Sequence, residues 1–267
     1  MATDQLLTEV RDHVLYLTMN RPERLNAMAP DMMAALVENL EAAQHSRDVG
    51  CVVLTGAGRG FCAGGDVKAM NEANSGGGQP QILEDRVANL RRSEEASRLL
   101  HEMPKVTIAA VNGPAAGAGL SLAMAADLRI AAKSATFTTA FARVGFSGDF
   151  GGTWTLTQLV GTAKAREMYF MPEVIGADDA LKLGLVNRVV ETEALREQVH
   201  AVAKRIANGP TLAYRYIKSN LNAAITHDFR DLLDRESYGQ SLTGRTEDHR
   251  EAVKAFLEKR EANFKGR

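Results

Sequence analysis

The chain has 267 residues, with 32 Lys or Arg against 33 Asp or Glu, for a formal charge of −1. That length suits one large α/β unit with an appended helical piece and leaves room for a sizeable core. The balanced charge, without long runs of one sign, excludes the electrostatic footprint of nucleic-acid or anionic-membrane binding.

Leu6 to Arg11 and Val14 to Met19 read as two strands around Asp12-His13, a hairpin that Arg21-Pro22 stops. Pro30 opens a helix whose apolar positions, Met32, Met33, Leu36, Val37 and Leu40, follow helical spacing. Cys51 to Thr55 is a short apolar run bounded by glycine, as a buried strand would be. The glycine-containing stretch from Gly56 to Gly65 follows, then a polar stretch with Gly76-Gly77-Gly78 that suits a mobile loop. A helix is expected from Ile82 to Met103, a buried strand from Val106 to Val111, and a small-residue helix from Leu120 to Ala126. Asp127 to Ala131 and Thr136 to Thr138 are further strand candidates. Helices then dominate, at Trp154 to Val160, Ala163 to Met171, Ala177 to Leu183 and Glu193 to Ala207, with a short strand at Val186 to Val190. The segment from Pro210 to Phe264 has helical periodicity, many charges and no convincing strand. The organisation expected is a catalytic core over residues 1–208 and a helical region over 209–267.

The stretch from Val106 to Ala126 is low in charge but broken by Asn112, Gly113 and Pro114, and a membrane span needs about 20 mostly apolar residues. The first residues, Met1-Ala2-Thr3-Asp4-Gln5, lack a basic segment followed by an apolar one. A cytoplasmic protein is expected. Cys51 and Cys62 fall in no metal-ligand pattern, so neither a disulfide nor a metal site is expected.

Three constellations carry chemistry. In Gly56-Ala-Gly-Arg-Gly-Phe-Cys-Ala-Gly-Gly-Asp66, glycines allow the backbone to approach a ligand and present N–H groups to an oxygen. A dinucleotide fingerprint would need glycine at Phe61 or Ala63, and a phosphate loop would need Lys before Ser or Thr, so the nucleotide readings fail. Asn112-Gly-Pro-Ala-Ala-Gly-Ala-Gly119 runs into a helix whose bare N-terminus favours an anion. Tight packing of small residues accounts for either loop equally well. In Gly145-Phe-Ser-Gly-Asp149-Phe-Gly-Gly-Thr-Trp154, partial burial would fit Asp149 for proton transfer. A turn or capping aspartate is the alternative there, and Thr153 is as good an N-cap.

Phe61-Cys-Ala63-Gly-Gly65-Asp66, Asn112-Gly-Pro-Ala-Ala-Gly-Ala118-Gly119, Ala126-Asp127, Gly151-Gly-Thr153 and Gly184-Leu-Val-Asn187, in this order, resemble the enoyl-CoA hydratase/isomerase (crotonase) superfamily. The resemblance extends from Asn20-Arg-Pro22 and Leu25-Asn26-Ala27 to Phe256-Leu-Glu-Lys-Arg260. It implies an α/β fold, a crotonase-like ββα spiral core with a C-terminal helical region. It also implies assembly as homotrimers or dimers of trimers, and acyl-CoA thioester substrates with no separate cofactor. The family's oxyanion hole falls on the backbone N–H groups of Gly65 and Ala118.

The two glutamates of the family's hydratases correspond here to Ser121 and Phe141, neither of which can act as a base. The isomerase branch, of enoyl-CoA and ring-epoxide isomerases, places one acid before its Gly-Gly-Thr helix, and Asp149 matches it. The 4-chlorobenzoyl-CoA dehalogenases carry a nucleophilic Asp at the same place, but their partner Trp is Phe141 here and their partner His falls on Asn89 to Arg92, which hold none. By the same resemblance, Leu25, Ala27 and Lys68 line the CoA end, with Ala63 and Asp66 in the first loop beside them. Phe256 and Lys259 supply a C-terminal contact, often from a neighbouring subunit, and Phe141, Phe146 and Trp154 shape an apolar acyl pocket. The reading is an acyl-CoA isomerase. A hydratase with relocated acid/base groups and a non-catalytic CoA-thioester binding protein are the alternatives.

Overall fold

The computed structural model describes residues 3–67 and 82–267. The Gly76-Gly77-Gly78 run and Lys68 lie outside the described residues.

The apolar runs become a six-stranded sheet in the order β1-β2-β3-β4-β6-β9. β1 (Leu6–Arg11) pairs antiparallel with β2 (Val14–Met19). From β2 onward, through β3 (Cys51–Gly56), β4 (Val106–Val111), β6 (Leu128–Ala132) and β9 (Arg188–Val190), every pairing is parallel. Parallel strands need crossovers that cover both faces, which is why their sequences are apolar without alternation. Val14, Cys51, Val53, Ile108, Ala110, Ile130 and Ala132 pack on one face. Their neighbours Leu15, Leu17, Val52, Leu54, Ala109 and Val111 pack on the other.

Helices fill the layers. α1 (Pro30–His45) has Pro at its start and buries Met32, Met33, Leu36 and Leu40; with α2 (Leu83–Glu102) and α3 (Ala118–Ala125) it covers the second face. α6 (Leu195–Ala207) covers the first, burying Leu195, Val199 and Ala203 at four-residue intervals. Between lie α4 (Gly152–Phe170) and α5 (Ala177–Lys182). The C-terminal region forms α7 (Thr211–Ala223), α8 (Phe229–Thr243) and α9 (Glu247–Glu258). Lys218 of α7 ties it to the core, its ammonium bonded to Asp127 at 2.8 Å and to the carbonyls of Leu100 and Lys105 at 2.8 and 3.0 Å.

Three local expectations are revised. α3 starts at Ala118, two residues before the apolar pattern, because Gly117 caps it at φ 52°. α4 begins at Gly152 after left-handed Gly151, so Thr153 lies inside the helix and caps nothing; the break expected after Val160 is a non-helical Gly161 within one element. The two-residue strands β5 (Ala115–Ala116) and β8 (Ile175–Gly176), which flank β7 (Thr136–Thr138) in a small second sheet, are too short to leave a pattern. No described helix is long and apolar enough to cross a membrane.

Candidate active site

The loops after β3 and β4 lock together. The Phe61 and Cys62 N–H groups both donate to the Pro114 carbonyl at 3.1 Å, and the Ala116 N–H returns to the Cys62 carbonyl at 3.0 Å. Gly64 has φ +87°, and a Cβ there would lie 2.7 Å from the Ala116 oxygen and 3.3 Å from the Ala118 nitrogen. Only glycine permits this approach without a shift. It brings the Gly64-Gly65 backbone beside the first turn of α3.

Among the described residues, neither the Gly65 nor the Ala118 N–H has a hydrogen-bond partner. Ala118 is the first residue of its helix, so its N–H points out of the ladder with the positive end of the helix dipole behind it. Two unused amides on locked backbone are suited to an oxyanion.

A third segment braces the first loop. Leu25 and Asn26 are left-handed, with φ 49° and 56°. Asn26 is fully buried and donates to the carbonyls of Ala57 and Gly60 at 2.9 and 2.8 Å. The Ala63 N–H donates to the Leu25 carbonyl at 2.9 Å, and the Met28 N–H to that of Gly64 at 2.8 Å. Arg21 closes the clamp, bonding the Ala27 carbonyl at 2.6 Å and Asp66 at 3.0 Å. Leu25, Ala27, Ala63, Gly65 and Asp66 are thus drawn together. Arg21 and Asn26, which do the holding, had no role assigned from sequence. The same holds for Asn112, which takes the Gly56 N–H at 3.2 Å and donates to the Gly58 and Gly60 carbonyls at 3.0 and 3.1 Å. A polar residue amid buried apolar neighbours was the available signal.

Asp149 lies in the loop that leads into α4. Its Oδ1 is buried with no hydrogen-bond partner among the described residues. Burial first, and then the charge of Glu94 on α2, push its carboxyl from 3.8 up to about 6. Glu94 accepts the N–H of Phe150 at 3.2 Å. Tyr169, on the last turn of α4, has a buried hydroxyl; burial pushes it up to about 12, against the pull of the Ser121 hydroxyl and with a smaller push from Asp149. A Cβ on Gly152 would collide with the Ser121 hydroxyl and lie 2.7 Å from that of Tyr169. Ser121 bonds back to the Gly117 carbonyl at 3.3 Å. The Phe141 ring lies parallel to Tyr169, 6.1 Å away, and borders Gly117. A set of contacts therefore runs from the Ala118 amide through Gly117 and Ser121 to Tyr169, whose ring borders Gly148 next to Asp149.

Other expected pocket residues lie elsewhere. Trp154 stands two residues beyond Gly152, about 200° round the helix. Its ring meets His101 edge-on at 5.3 Å, on a cleft of about 460 Å³ shared with Ile217, Lys218 and Leu221. That is a different side of α4 from the one Gly152 sets against Ser121. Phe146 is half exposed, with its N–H on the Phe141 carbonyl at 3.0 Å. Phe256 is 83% exposed and Lys259 caps α9 at φ 53°, both at the end of the C-terminal region. Among the described residues, no group of three His, Cys, Asp or Glu is placed to hold a metal.

A family model described as enoyl-CoA hydratase/isomerase matches residues 9–267. The chain is 39% identical over 262 residues to the 1,2-epoxyphenylacetyl-CoA isomerase of Escherichia coli (strain K12), covering 98% of each. It is 35% identical over 265 residues to the crotonyl-CoA hydratase of Syntrophomonas wolfei subsp. wolfei, covering 99% of each. The solved structure of an enoyl-CoA hydratase from Bacillus anthracis matches with a TM-score of 0.91 at 29% identity, over 99% of this chain and 100% of that one. The α/β spiral with its C-terminal helices is the fold of these proteins. The chain belongs to the enoyl-CoA hydratase/isomerase family.

Proposed function

We propose that the chain is an acyl-CoA isomerase in which Asp149 is the sole acid/base. The thioester carbonyl accepts the Gly65 and Ala118 N–H groups. The Asp149 carboxylate removes a proton from C2 of a 3-enoyl-CoA, the electron pair delocalises onto the thioester oxygen, and the two amides hold the resulting dienolate. Returning the same proton at C4 moves the double bond to C2. Each preorganised donor contributes roughly 3 kcal/mol of barrier lowering where charge develops. A ring epoxide on the acyl group is a second substrate form, after the E. coli relative's name.

The supporting observation is the state of Asp149: half-buried, with an enclosed Oδ1 that has no hydrogen-bond partner among the described residues, and lifted to about 6. Such a carboxyl is matched to both taking and giving a proton near neutral pH. Ser121 and Phe141 offer no second carboxylate. Conversion of a 3-enoyl-CoA to its conjugated isomer, followed by ultraviolet absorbance, tests this, and its absence over a range of chain lengths would overturn it. Hydration is the second reading, favoured by the similarity to a crotonyl-CoA hydratase; loss of conjugated absorbance from crotonyl-CoA is its test. We further infer a homotrimer or a dimer of trimers in the cytoplasm, built on a core of residues 1–208 and the region 209–267. In that assembly exposed Phe256, with Lys259, reaches the CoA of a neighbouring subunit, while Lys68 and Leu25 serve the CoA bound by their own chain.

A further inference from the structure

Phe150 is a non-glycine residue at φ 53°, immediately after Asp149 and between glycines at φ 108° and 72°. A side chain in the left-handed region is strained and persists where its surroundings hold it. On one side the Asp149 carbonyl accepts the Gly152 N–H at 3.0 Å. On the other the Phe150 ring is buried, and its N–H is taken by Glu94 at 3.2 Å. Glu94 comes from α2, 56 residues away, and its carboxylate holds the Phe150 N–H directly, while Thr155 of α4 holds the Gly151 carbonyl at 3.1 Å. The basic residues nearest to it in sequence on α2 are engaged elsewhere: Arg92 reaches Asn89 at 3.4 Å, Arg91 pairs with Glu95, and Arg98 with Glu95 and Glu102. From α4 the Tyr169 ring borders Gly148, next to Asp149, and its hydroxyl meets that of Ser121 on α3. Glu94 therefore supplies the negative charge that acts on Asp149.

We propose that Glu94 is a positioning residue of the isomerase reaction, fixing the Asp149–Phe150 turn through the Phe150 amide and setting a like charge against the Asp149 carboxyl. The inference rests on Asp149 as the acid/base. A base that must collect a proton from one carbon and deliver it to another needs a fixed carboxyl, and a like charge close by strengthens its hold on the proton. Glu94 touches no reacting atom and acts through its neighbour.

Two variants of the full chain separate the two effects. Glu94→Gln keeps an acceptor oxygen for the Phe150 N–H and removes the charge; Glu94→Ala removes both. The Asp149 carboxyl is titrated directly by carbon-13 NMR, with Asp149→Asn identifying its signal, and kcat and KM are measured against pH. In Glu94→Gln the Asp149 titration and the acidic limb of kcat should both move below about 6, while the plateau kcat stays close to that of the parent. In Glu94→Ala the plateau kcat should fall by about tenfold or more with KM little changed. A titration that stays in place in Glu94→Gln, or a full plateau kcat in Glu94→Ala, overturns the role of Glu94 even if Asp149→Asn is inactive. An active Asp149→Asn variant with a titration that moves as stated overturns instead the reading of Asp149 as the base.

Discussion

Asp149→Asn separates catalysis from stability in opposite directions. Lifting the carboxyl from 3.8 to about 6 amounts to ~3 kcal/mol at about 1.36 kcal/mol per pH unit. Part of the loop is open to water, and screening reduces this to ~1.5 kcal/mol. The sign follows from proton uptake. Between pH 3.8 and about 6 the folded chain holds this proton more tightly than the unfolded chain, so its stability falls as pH rises through that window. The penalty is fully present above the folded value. Asparagine carries no charge to desolvate, so the variant should match the parent near pH 4 and exceed it by ~1.5 kcal/mol at pH 8, or ~3–6 °C in Tm. Over the same change kcat should drop by ~10²–10⁴, the usual worth of a positioned acid/base, with KM little altered because the amides and CoA contacts remain. The parent's kcat/KM should rise with pH through about 6 as the carboxylate forms. Calorimetry at the two pH values and isomerisation of a 3-enoyl-CoA are the assays. Near-normal turnover in the variant refutes the acid/base role. A Tm gain equal at both pH values, or a Tm loss at pH 8, refutes the desolvation argument.

Ala118→Pro removes one oxyanion donor at a helix position that tolerates proline, so kcat should fall by ~10²–10³ while the circular dichroism spectrum is kept; near-parental kcat would exclude this amide from the reaction. Lys218→Met strips Asp127 and two backbone carbonyls of their buried ammonium partner and should cost ~3–5 kcal/mol in urea unfolding, with kcat retained below the transition. An unchanged unfolding midpoint would show that this ion pair does not anchor the C-terminal region. Arg21→Ala releases Ala27 and Asp66 from the loop that presents Gly65, and should raise KM for acyl-CoA more than it lowers kcat. The reverse pattern would place Arg21 in the chemistry.

The sheet was legible because both faces are buried: Val52, Leu54, Ile108 and Ala110 leave unbroken apolar runs whichever way each residue points. The glycine loops were legible because close backbone approach admits no other residue, as at Gly64 beside Ala116 and Ala118. Pairings between remote segments leave no such trace. Arg21 finds Asp66 across 45 residues and Phe150 finds Glu94 across 56, and no local pattern announces either. Helix phase hid another fact: Trp154 adjoins the site in sequence, yet α4 turns its ring towards His101.

Hydrogen-bond satisfaction separates Asp149 from the polar residues that hold the neighbouring loops in place. Asn26 spends its amide on Ala57, Gly60 and the Arg21 N–H, and buried Arg129 bonds the carbonyls of Leu185, Met124 and Ala126. Both are polar residues in a dry interior whose bonding is met by the fold, and both hold loops in place. Among the described residues Asp149 Oδ1 is left without a partner, and the Tyr169 hydroxyl has only that of Ser121 beside it. Leaving a buried polar atom unpaired costs ~1–3 kcal/mol, a penalty that folding alone gives no reason to keep. A ligand that supplies the missing partner recovers that free energy on binding. The motif around Asp149 shows that a carboxyl is present, and burial with Glu94 of α2 strengthens that carboxyl's hold on a proton.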